Sequence, residues 1–200
     1  MAQPWRAPRR IIVTGLALGI ALLLALAAIL DDASPQAGTG TTAASLGADG
    51  WQTYYTAAGE FEVDLPDVPH LTSVVGPGSV VEGAPGVALV SVAGRVTYDV
   101  LVYELGDPAT AAAILNDALE LSIRARLEPG LQITQATIGD SPATQYRFSL
   151  AAETTTLIRL GAVGSQLVQL TVAVDRGGDA AQAERFFDSW QTEASTVDSR

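Results

Sequence analysis

From Ile11 to Leu30 the chain reads IIVTGLALGIALLLALAAIL, twenty residues with no charge and nothing more polar than Thr14. At helical rise such a run matches the hydrocarbon thickness of a bilayer and predicts a transmembrane helix. The pattern then stops. Residues 31–50 are Ala, Gly, Thr, Ser and Asp with one Pro and no apolar period, which predicts a flexible linker. From Trp51 onward the apolar positions recur every second residue. Phe61, Val63 and Leu65 alternate with Glu62 and Asp64, and Pro66 and Pro69 end that strand. A short strand is expected at 71–75, then strands at 87–93 and 95–105 turning about Gly94, the second apolar on both faces and so covered on both.

Asp107-Pro108 places a capping carboxylate before a first-turn proline and predicts a helix, with Ile114, Leu115, Ala118, Leu119, Leu121 and Ala125 inward. Glu128-Pro129-Gly130 stops it. Four strands follow, at 131–138, 144–150, 154–160 and 166–174, joined by turns at Gly139-Asp140, 151–153 and 161–164. The shortness of the turns makes neighbours antiparallel. A last helix is expected from Asp179, with Ala183, Phe186, Phe187 and Trp190 at i, i+3, i+4 and i+7. Strands, helix, strands, helix with few crossovers is an α+β order: an antiparallel β-sheet with helices packed on it. The chain divides into a basic flank at 1–10, the membrane run at 11–30, a linker at 31–50, a domain at 51–192 and a tail at 193–200.

Charge sharpens the first element. Three arginines and no acid precede Asp31; all 22 acids and the other eight arginines follow, so residues 31–200 carry −14. A basic flank before the run puts the N-terminus in the cytoplasm and the acidic domain outside. The Ala25-Leu26-Ala27 triplet is a signal-cleavage pattern, so the alternative is a secreted domain. The apolar run continues past that triplet to Leu30, which favours a retained anchor. Gly15 and Gly19 form a G-x-x-x-G step that can let two membrane helices approach; glycines are also simply common in such helices. A segment 31–200 at −14 is repelled by phosphates, which argues against nucleic acid and against docking on an anionic membrane surface. With no cysteine there are no disulfides, thiolate metal sites or cysteine nucleophiles.

Phe61-Glu62-Val63-Asp64-Leu65-Pro66, followed by Pro69, resembles the F-x-V-x-x-P-x-x-P opening of PsbP-like domains. The strand ending Val102-Tyr103-Glu104, the helix after it, the turn Gly139-Asp140-Ser141-Pro142-Ala143 and the closing Phe186-Phe187-Asp188-Ser189-Trp190 fall where that pattern puts them. The resemblance spans residues 51–191. It implies an α/β/α sandwich around an antiparallel sheet, the fold shared by lumenal PsbP proteins of photosystem II and the Ran-binding protein Mog. It also implies action by binding other proteins, not by catalysis. The matching positions are packing positions, so no functional residue carries over. Leu167 and Val168 stand where relatives often carry Tyr.

The search for chemistry is short. His70 is the sole histidine and follows a proline. Glu60, Glu62 and Asp64, two apart, share one strand face and are the candidate ligands for a hard cation such as calcium; the competing reading is the solvated face of an edge strand. Gly139-Asp140-Ser141 resembles an esterase block but has no downstream histidine to act as base. Arg147 and Arg159 are expected on an outward hairpin face, where they would bind an anion or pair with acids. Trp51, Tyr54 and Tyr55 form either an exposed aromatic patch or packing against the last helix. No cofactor is implied. The sequence therefore predicts a non-catalytic, membrane-anchored extracytoplasmic binding or accessory module whose partner is another envelope protein. The alternative is a small-ligand or metal-ion site in a cleft between the sheet and loop 76–86.

Overall fold

A computed structural model describes residues 41–46, 50–56, 60–75, 83–124, 130–150 and 154–192. The run Ile11–Leu30, Gly15, Gly19, the Ala25–Ala27 triplet and the tail 193–200 lie outside the described residues. No helix among those described is long and apolar enough to cross a membrane.

Among the described residues the fold is mostly antiparallel sheet with two helices. The larger sheet has seven strands in the order β4–β5–β6–β10–β9–β8–β7. These are β4 (His70–Val75), β5 (Pro85–Ala93), β6 (Val96–Glu104), β7 (Gln132–Ile138), β8 (Ser141–Leu150), β9 (Thr154–Val163) and β10 (Gln166–Asp175). Helix α1 (Pro108–Arg124) separates the two meanders, 4-5-6 and 7-8-9-10. It carries the chain from β6 to the far edge, packing on β9 and β10 on the way. It begins as the sequence predicts: Asp107 accepts from the Ala109 and Thr110 N–H groups and from Thr110 Oγ1. Those bonds hold its carboxyl below the usual carboxylate range, the Thr110 hydroxyl contributing most.

Of the second sheet, the apolar pattern reveals only the strand at 61–65. This sheet has four strands in the order β1–β2–β3–β11: β1 (Thr41–Leu46), β2 (Gln52–Thr56), β3 (Phe61–Leu65) and β11 (Gln191–Thr192). Residues 41–46, expected as linker, thus form a strand paired with β2. Pairing there is a backbone matter, and TTAASL gives no periodic side-chain signal. The last helix is also shorter than expected. The Asp179 carboxylate accepts from Ala181 N–H and closes a turn, and α2 runs only over Ala183–Asp188. The turn expected at 161–164 is strand to Val163, and Gly164-Ser165 makes the reversal.

The large sheet is covered on both faces, as its doubly apolar β6 requires. One face meets the small sheet and α2. There Val100, Val102, Val168, Leu170 and Val172 pack against Phe61, Val63, Leu65, Phe186, Phe187 and Trp190. Phe61 stacks on Trp190 at 4.3 Å between centroids, and Tyr98 meets Phe186 edge-on at 5.4 Å. Fully burying each of these aromatics stabilises the fold by about 1.5–3 kcal/mol relative to exposure. The opposite face holds Ala88, Leu101, Tyr103 and Leu167 against Ile114 of α1. One outer layer is therefore a helix and the other a short helix with a small sheet.

Candidate functional site

The acidic strand face of β3 is dispersed by its surroundings. Glu60 sits in the preceding turn with φ of 53°, off the strand. Glu62 lies opposite Tyr55 and Gln191. Asp64 is engaged: Thr53 Oγ1 donates to Oδ1 at 2.6 Å, and Arg185 Nη2 stands 4.0 Å from Oδ2. Among the described residues no three His, Cys, Asp or Glu side chains are grouped so as to hold a metal ion, and this trio is no exception. Asp64 instead helps join β3 to the end of α2, where its N–H donates to Ser189 Oγ at 2.9 Å.

Arg159 is where the expectation was furthest off. It pairs with acids, as expected, but it is buried at 7% exposure instead of lying on a solvated hairpin face. Its Nε donates to Gln145 Oε1 at 2.8 Å, and Nη1 donates to Asp188 Oδ1 at 2.9 Å and to the Thr137 carbonyl at 3.3 Å. Nη2 bonds Glu184 Oε2. Its guanidinium carbon lies 4.6 Å from the Phe187 ring centroid. The cause is α2: Glu184 and Asp188 are one helical turn apart and flank Phe187, so docking Phe187 lays both carboxylates over β9. Arg147 shares this sheet face but is exposed. The two arginines do not form an anion site.

The aromatics near residue 51 resolve as core. Trp51 and Tyr54 are buried, Trp51 meeting Tyr98 edge-on at 5.5 Å and Arg185 at 4.6 Å, while Tyr55 is half-buried. His70 and the Gly139-Asp140-Ser141 turn occupy opposite edges of the large sheet, so the histidine cannot serve that serine. Of loop 76–86, beside which a ligand cleft is expected, residues 76–82 lie outside the described residues, and Pro85 and Gly86 belong to β5.

The residue that pattern reading missed is Asp99. It lies mid-strand in β6, facing the α1 side, with Val90 and Thr171 as cross-strand neighbours. It is 1% exposed, and neither carboxyl oxygen has a hydrogen-bond partner among the described residues. Burial alone pushes its pKa up to about 7. Its charge, after burial itself, raises the Tyr103 phenol. The same sheet face carries further buried polar groups. Gln169 Nε2 donates to Thr171 Oγ1 at 3.1 Å, and Thr156 Oγ1 is buried without a partner. Groups with such shifts mark functional-site candidates when they line a cleft. What Asp99 can do here is hold a proton in the folded state at pH values where an ordinary carboxyl has lost it.

At one end of the large sheet, Arg95, Thr154, Asp175 and Arg176 line an open cavity of about 330 Å³. Arg95 is seated by a bond from Nη1 to the Arg176 carbonyl, above Gly177, whose φ of 82° suits glycine. Asp175 is held by Thr154 Oγ1 at 2.9 Å. Two cations face one acid there, which is a surface feature without a buried polar anchor.

No protein-family model matches this sequence, and no curated protein does. Among solved structures, the chain is similar to a protein of Bacteroides thetaiotaomicron at 12% identity and TM-score 0.44, covering 67% of this chain and 45% of that one. It is similar to the cyanobacterial PsbP (CyanoP) of Synechocystis at 14% identity and TM-score 0.45, over 76% of this chain and 97% of that one. It is also similar to LpqN of Mycobacterium tuberculosis, described as involved in cell envelope biogenesis, at 15% identity and TM-score 0.29, over 82% and 85%.

Proposed function

We propose that this chain is a membrane-tethered, extracytoplasmic binding module of PsbP-like architecture that acts on another envelope protein without catalysis. The observation that carries the reading is the run Ile11–Leu30, behind three arginines and ahead of a −14 remainder. Such a run supports a place for the domain outside the membrane. The PsbP-like part is supported by the Phe61–Pro69 opening, by the helix that follows β6, and by the closing Phe186–Trp190 motif, whose aromatics are all core. The charge of the domain favours a partner with a basic surface.

Cross-linking the intact protein in cells, followed by identification of what it touches, tests the module. The expected product is a heterologous envelope protein with a basic face. Recovery of only abundant neighbours would sink the partner. Carbonate washing of membranes tests the tether, and release of the chain into the supernatant would show the run to be cleaved.

A further inference from the structure

We draw no further inference here: the strongest candidate, the buried Asp99 carboxyl beside Thr171 on the α1 face of the large sheet, carries nothing beyond its own protonation, because nothing among the described residues shows what covers it.

Discussion

Arg159 Nη1 lies 2.9 Å from Asp188 Oδ1, and that bond fastens α2 to β9. The arginine is buried and both its carboxylate partners are largely exposed. Removing the arginine and removing an acid are therefore unequal changes. Arg159→Ala strips several hydrogen bonds and the stacking on Phe187, and should cost about 2–4 kcal/mol. Glu184→Ala leaves Asp188 in place and should cost less than about 1 kcal/mol. Arg159→Lys should behave like the alanine variant, since a single ammonium nitrogen cannot reach acceptors spread around the three nitrogens of a guanidinium. Urea denaturation of the three variants checks the order, and an Arg159→Ala midpoint equal to the wild type would refute the clamp.

Asp99 makes stability depend on pH in a direction opposite to most carboxylates. Its folded pKa of about 7 stands above the ordinary 3.8, so the folded state holds the proton that the unfolded chain releases. Stability is full below pH 3.8, declines as pH rises, and levels off above about 7. The rise from 3.8 to about 7 limits the effect to roughly 4 kcal/mol. Asp99→Asn should flatten the fall in melting temperature between pH 5 and pH 8. A variant that keeps the wild-type slope would assign that slope to other groups.

Gly86 explains an interruption in an otherwise branched strand. A Cβ there would stand 2.6 Å from the Val102 carbonyl oxygen and 2.7 Å from the Tyr103 ring. The carbonyl belongs to a central strand and cannot yield. Gly86→Ala should cost about 1–3 kcal/mol, and Gly86→Val more. Thermal melts at one pH decide it; an unchanged Gly86→Ala melt would mean that β5 shifts freely.

Trp190 and Phe61 are both nearly inaccessible and stack with 23° between their planes. Trp190→Ala opens a cavity in the main core and should cost about 3–5 kcal/mol. Trp190→Phe keeps a stacking ring and removes an indole N–H that is buried without a partner among the described residues, so its cost should be well under half of that. Comparable losses in the two variants would show that stacking contributes little.

Much of the large sheet was legible because its strands repeat apolar residues at a period of two over a covered face. Val168, Leu170, Val172 and Val174 needed no other information. α1 was legible because Asp107 and Pro108 are chemical start signals. Of the small sheet only β3 was legible, from Phe61, Val63 and Leu65; β1 has little to bury in its pattern, and β11 is two residues held by pairing with β3. Asp99 was hidden inside a run read as apolar on both faces. Arg159 was misplaced because a charge on a strand is ordinarily a surface residue; the available signal was Glu184 and Asp188, one turn apart around Phe187. The sequence trio Glu60, Glu62 and Asp64 failed as a site because a turn and a hydrogen-bonded threonine claim two of its members.

The closing strand β11 lies beside β3, so the first and last described elements share one sheet. A chain that leaves a ribosome or a translocation pore N-terminus first makes β1, β2 and β3 long before it makes their partner. Phe61 must wait 129 residues for Trp190. Until then the inner face of the small sheet has no Phe186, Phe187 or Trp190 to cover it, and the domain cannot mature in segments. Maturation is set by the arrival of the C-terminal end, and any holding factor that shields apolar surface would be needed for the whole of that interval.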